Sequence, residues 1–135
     1  MDALKETIAN QLIAARERSH VLTALEDASL ISQVSPLMSP LVWDLAHIGN
    51  YEELWLLREV AGIAPMRPEI DGLYDAFEHP RATRPSLPLL GPGEARSYIG
   101  TVRDKVLDSL GKARFGDTLT SDGFVAPPSN GFCRL

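Results

Sequence analysis

The sequence predicts an all-α fold. Apolar residues recur at helical spacing in three long stretches, helix-start signals of the Ser-Pro and Pro-Gly-Glu type open two of them, and six prolines gather in the segment that separates the last two. The expected architecture is three long helices and a Pro-rich crossover that carries a short helix of its own.

The first helix spans residues 2 to about 28. Leu4, Ile8, Leu12, Ala15, Leu22 and Leu25 form its apolar stripe, while Lys5, Glu6, Arg16, Glu17 and Arg18 turn mostly elsewhere. His20 sits beside the charged residues 16–18 and reads as a surface or boundary imidazole with no chemical task. A turn follows over residues 29–39, because Pro36 and Pro40 forbid one continuous helix across it.

The second helix runs from Pro40 to about Ala61. Serines at 35 and 39 can cap and the prolines after them suit a first helical turn. Only Gly49 interrupts it, at a cost of about 1 kcal/mol relative to alanine. On a helical wheel Trp43, His47, Tyr51, Leu54 and Arg58 share one side, flanked by Asp44 and Asn50, and that face is expected to be buried.

Between Gly62 and Gly93 the prolines at 65, 68, 80, 85, 88 and 92 mark a long crossover. Within it, residues 69–78 suit a short helix with Ile70, Leu73, Tyr74 and Phe77 on one side. The third long helix starts at Pro92 and ends at Arg114, with Glu94 in its first turn and Lys112 and Arg114 in its last, as the helix dipole favours. Ala95, Tyr98, Ile99, Val102, Val106 and Leu110 are its buried stripe. Residues 115–135 have no period and are rich in turn formers; they are expected to form an irregular tail outside a helical domain of residues 1–114.

Composition narrows the function. A chain of 135 residues with 44% hydrophobic and 23% charged residues is an ordinary single globular domain. A net charge of −5 with no basic stripe argues against nucleic acid. No apolar run reaches the roughly 18 residues of a membrane span and no leader pattern opens the chain, so neither membrane insertion nor secretion is expected and the location is read as cytoplasmic. One cysteine, Cys133, excludes an internal disulfide. Gly-rich phosphate loops, Cys-x2-Cys pairs and Gly-x-Ser-x-Gly elbows are absent.

What remains is His47, His79, Arg81 and Arg84. His47 has two readings: a core histidine whose nitrogens are satisfied by neighbours such as Asp44 or a backbone carbonyl, or a metal ligand with Asp44 or Asn50 supporting it. Arg81 and Arg84 have two as well. Three residues apart, they can clamp one carboxylate with two planar forks of donors, or they can be loop cations paired with Glu69, Asp75 or Glu78.

The run Met38-Ser-Pro-Leu-Val-Trp-Asp-Leu-Ala-His-Ile-Gly-Asn-Tyr-Glu-Glu-Leu-Trp-Leu-Leu-Arg58 resembles the DinB-like amino-terminal domain of the hercynine oxygenases, the iron-dependent sulfoxide synthases of ergothioneine biosynthesis. The run Leu73-Tyr-Asp-Ala-Phe-Glu-His-Pro-Arg-Ala-Thr-Arg84 is similar to the segment in which that family binds its thiol substrate. The resemblance covers about residues 4–114 and implies a DinB-like four-helix bundle. It implies iron(II) held by three histidines, one at the position of His47 and two from a His-x3-His pair on the fourth helix. It also implies that Arg81 and Arg84 meet the carboxylate of gamma-glutamylcysteine, the second substrate being hercynine. His79 has no role in the family and reads as a loop histidine.

The sequence departs from this pattern after Arg114. No His-x3-His follows and no histidine at all follows His79 in these 135 residues, and the family's large carboxy-terminal domain is expected to be absent. The expectation is therefore an incomplete bundle, an amino-terminal fragment that is inactive alone and does not hold iron tightly. An apolar groove lined from Trp43, Leu54, Val102 and Val106 is expected where the fourth helix would lie, with self-association through that uncovered face. Two other functions stand beside it: a non-catalytic helical interaction module, and a DinB-like thiol transferase.

Overall fold

A computed structural model of the chain describes residues 3–115, and they are helical throughout apart from turns and connections, as expected of an all-α fold. Helix α1 is Ala3–Leu22, α2 is Asp27–Ile31, α3 is Leu41–Glu52 and α4 is Pro92–Lys112. A π-helical segment, Glu53–Val60, continues α3 without a break. Three 3-10 turns, Pro68–Ile70, Gly72–Tyr74 and Arg81–Ser86, order the crossover. Among the described residues no helix is long and apolar enough to cross a membrane.

The centre of the molecule is the contact of α3 with α4. Val42, Trp43, Leu45 and Ala46 pack with Ala95, Tyr98, Ile99, Val102 and Val106, so the stripe read from α4 is the buried one, with Leu110 partly covered at its end. Gly49 is more than a tolerated helix residue. A Cβ there would overlap the Cγ2 methyl of Ile99, so glycine lets the two helix backbones approach.

Helix α1 differs from its reading. Its one buried residue is Arg16, whereas Leu4 and Ile13 are 48% and 41% exposed. The attachment is polar. Arg16 donates from Nη1 to Ile99 O at 3.2 Å and from Nη2 to Glu52 Oε2 at 2.6 Å. Arg103 of α4 donates to the same carboxylate, with Nε 2.6 Å from Oε1 and Nη2 3.1 Å from Oε2, and through Nη1 to Leu12 O of α1. Two guanidiniums on one carboxylate thus join α1, α3 and α4, a device that hydrophobic spacing does not report.

Three local expectations are also corrected. The first helix ends at Leu22 and not near residue 28, and the short helix α2, Asp27–Ile31, bridges into the expected turn and buries Leu30 completely. The second long helix does not stay α-helical to Ala61: its backbone widens at Glu53, Ala61 N donates to Leu56 O at 3.1 Å, and Gly62 turns the chain away with φ 66°. The short helix placed over residues 69–78 is two 3-10 turns, which bury Ile70 and Tyr74 and leave Phe77 81% exposed.

The expected groove is not found where it was placed. Trp43, Val102 and Val106 are buried and only Leu54 is partly exposed, lining a small cleft, while the exposed apolar side chains include Val21, Leu22, Val34 and Leu37, on the end of α1 and the connection into α3. The tail assigned to residues 115–135 lies, after Phe115, outside the described residues.

Candidate functional site

His47 stands in the middle of α3, half-buried, where α3 faces the crossover. Its Nδ1 is 2.8 Å from the carbonyl oxygen of Tyr74. A carbonyl only accepts, so Nδ1 carries the proton and the neutral ring keeps its lone pair on Nε2. This is the tautomer that a metal-binding imidazole adopts when a backbone carbonyl orients it.

The ring is held in a second way. Trp43, one turn earlier, stacks on it with centroids 4.5 Å apart and planes 19° from parallel. The indole Nε1 donates to Leu73 O at 2.9 Å. Successive carbonyls of one 3-10 turn therefore receive the N–H of Trp43 and the N–H of His47. That turn is itself anchored, because Leu90 N donates to the Tyr74 hydroxyl at 2.8 Å.

Asp44 and Asn50, the flanking polar residues, have different surroundings. Asn50 donates to Asp71 Oδ1 at 2.9 Å and so ties α3 to the crossover instead of supporting His47. Asp44 is half-buried, and burial raises its carboxyl pKa against the opposing pull of His47, Arg84 and Arg81.

Arg84 is buried, 5% exposed, and committed to the protein. Nε donates to His79 O at 2.9 Å, Nη1 to Ser39 Oγ at 2.6 Å and Nη2 to Ala76 O at 3.3 Å. Its guanidinium carbon lies 3.7 Å from the centre of the Trp43 ring. Burial lowers its pKa, though it stays a cation at any physiological pH. Arg81, on the same 3-10 turn, has an exposed side chain, while its carbonyl accepts from Gln33 Nε2 at 3.0 Å. Neither Arg84 nor Arg81 has an ion pair with Glu69, Asp75 or Glu78 among the described residues; Glu69 pairs with Arg67.

The structure thus brings His47, Trp43 and Arg84 together and leaves Arg81 at the rim. A small open cleft adjoins His47, which lines it with Asn50, Tyr51, Leu54, Tyr74, Asp75, Ala76 and Phe77, while Trp43, Arg81 and Arg84 do not line it. Sequence reasoning gave Trp43 no role beyond burial, read Ser39 as a helix cap although its Oγ accepts from Arg84 and caps nothing, and foresaw a backbone carbonyl as a partner of His47 without identifying Tyr74. The i, i+4 spacing of Trp43 and His47 is a legible signal for their stacking; nothing in the spacing announces a carbonyl 27 residues away. Among the described residues no three His, Cys, Asp or Glu side chains converge as a metal site, so His47 offers a single donor there.

Comparison with known proteins agrees with this architecture. The model of the DinB superfamily matches residues 11–133. Hercynine oxygenase of Mycolicibacterium smegmatis is 56% identical over 120 residues, which covers 87% of this chain and 27% of the relative. The hercynine oxygenases of Mycobacterium tuberculosis and Mycolicibacterium thermoresistibile are each 56% identical over 109 and 105 residues, 25% and 24% of their lengths. The chain spans about a quarter of the curated relatives it matches. With a family match over most of its length and an all-helical core of the kind described, this chain belongs to the DinB superfamily.

Proposed function

We propose that the chain is the amino-terminal helical part of a hercynine oxygenase, with its helical domain at residues 1–114, and that His47 supplies one imidazole to an iron(II) site through Nε2. The observation that carries this reading is the 2.8 Å contact of Nδ1 with Tyr74 O, which leaves Nε2 as the nitrogen with the lone pair. A core histidine can make the same contact; the tautomer supports the ligand reading because it leaves Nε2 as the nitrogen able to bind a metal. When bound, the iron supplies dioxygen chemistry that links the sulfur of gamma-glutamylcysteine to the imidazole of hercynine. Arg81, with its exposed side chain, and the remaining η N–H groups of Arg84 are the donors proposed for the thiol substrate's carboxylate. Because that substrate must arrive as a free thiol, the reducing cytoplasm is the fitting compartment.

The chain alone is expected to be inactive and to hold iron weakly. Its histidines are His20, His47 and His79, and His20 is exposed on α1. One imidazole does not fix an iron ion, because affinity and open-site geometry come from several converging ligands. The test is to assay the 135-residue chain beside a chimera in which the residues beyond Arg114 are replaced by the corresponding part of an intact relative. An active chimera, silenced by His47→Ala and slowed mainly through KM by Arg81→Ala, supports the reading. Turnover by the short chain, or an active chimera indifferent to His47→Ala, ends it.

A second reading, a helical interaction module or a self-associating chain, is favoured by Val21, Val34, Leu37 and Phe77, each more than 70% exposed. Sedimentation that gives one monomer mass across a wide concentration range rules out self-association. A free-standing thiol transferase has no observation of its own here.

A further inference from the structure

Arg84 does not touch His47, yet both lie against the same indole. The guanidinium carbon is 3.7 Å from the Trp43 ring centre and the His47 centroid is 4.5 Å from it. Two planar groups that near to one centre would overlap on a single face, so they occupy opposite faces. The order through space is Arg84, Trp43, His47.

We infer that Trp43 is a positioning residue for His47 and that Arg84 acts on His47 through it, holding the imidazole as the single Nδ1–H tautomer against Tyr74 O. Each layer is fixed from outside. The Arg84 plane is set by Ser39 Oγ, His79 O and Ala76 O, three acceptors that leave it little freedom to tilt. The indole is set by that cation on one face and by its N–H bond to Leu73 O at the edge. The imidazole, stacked on the other face, is left one rotation that also meets Tyr74 O. Were the indole free to turn, His47 would lose its flat support and could flip to offer Nδ1 to the cleft instead.

This rests on the reading of His47 as a ligand only for its consequence; the positioning itself is measurable in the intact 135-residue chain without iron or turnover. The measurement is nitrogen-15 NMR of the three histidine rings at a pH where imidazoles are neutral, with exposed His20 as internal reference and helical circular dichroism as the check on folding. The unaltered chain is expected to show His47 as one tautomer, protonated at Nδ1, and an Nε2-protonated ring overturns the inference without any variant. Arg84→Gln removes the cation, and Arg84→Lys keeps the charge but loses the flat contact. Both are expected to convert His47 from one tautomer to a mixture of two while His20 stays as it was. Trp43→Phe, which retains a ring to stack on, is expected to keep more of the native form than Trp43→Leu. A single unchanged His47 tautomer in either folded Arg84 variant overturns the inference. So does equal behaviour of Trp43→Phe and Trp43→Leu.

Discussion

Glu53 and Arg58 form an ion pair within one turn of the π-helical segment, with Arg58 Nε 2.6 Å from Glu53 Oε2. In an α-helix residues five apart point about 140° away from each other. The wider turn, with hydrogen bonds five residues apart, brings them face to face. Glu53 is fully buried and every donor around it is used: Tyr98 Oη donates to Oε1 at 2.7 Å and Met66 N to Oε2 at 3.1 Å. Arg58 continues to Asp71 Oδ2 at 2.7 Å, and Asp71 takes Asn50. The wide turn and this buried network hold each other in place, and Asn50, at the end of the network, also lines the cleft beside His47.

Glu53→Ala is expected to cost about 2 to 4 kcal/mol of unfolding free energy, because it leaves the Tyr98 hydroxyl and Met66 N without their acceptor and takes from Arg58 one of its two carboxylates, Asp71 remaining. Urea denaturation measures this. A loss below about 1 kcal/mol would mean that the network relaxes freely, as surface pairs do.

Gly49→Ala is expected to destabilise by about 1 to 3 kcal/mol, even though alanine is the better helix former by about 1 kcal/mol. The new methyl would overlap Ile99 Cγ2. Combining it with Ile99→Val or Ile99→Ala should return part of the loss, and strict additivity of the two substitutions would show that they do not share one contact.

Arg16→Met is expected to loosen α1 selectively. Glu52 keeps Arg103, so the loss should stay near the 1.5 to 3 kcal/mol of hydrogen bonds to a charged group. Amide exchange should quicken along α1 while α3 and α4 keep their protection. Uniform change in all three helices would refute the view of Arg16 as the local attachment of α1.

Alkaline pH should weaken the fold through two tyrosines. Burial raises the Tyr74 phenol above its ordinary pKa, and burial with donation to Glu53 raises Tyr98 further. Above pH of about 10 the unfolded chain releases these protons and the folded chain keeps them. The unfolded state then binds fewer protons, so stability is fully present below that pH and falls as pH rises beyond it. Tyr98→Phe should be less stable at neutral pH, having lost the bond to Glu53, but should fall less steeply above pH of about 10. Equal slopes for the two proteins would count against this assignment.

How legible the molecule was in its sequence can be followed residue by residue. The stripe of α4 from Ala95 to Val106 and the burial of Trp43 were readable, because one helix against another demands apolar side chains at a fixed angular spacing. His47, Arg81 and Arg84 were singled out by residue type and by resemblance, and the structure then separated them: His47 and Arg84 flank Trp43, while the Arg81 side chain is exposed. Arg16 was misread as a surface charge, since the partners that make its burial tolerable, Glu52 and Ile99 O, are 36 and 83 residues away. The π-helical turn escaped for the same reason: Tyr98 Oη and Met66 N, which help satisfy Glu53, come from other parts of the chain. Local sequence determined the helices and their apolar faces, which depend on neighbours within a few positions. The tautomer of His47, the commitment of Arg84 and the widening at Glu53 were decided by tertiary structure alone, because a buried polar group is settled by whichever donors and acceptors the fold brings to it.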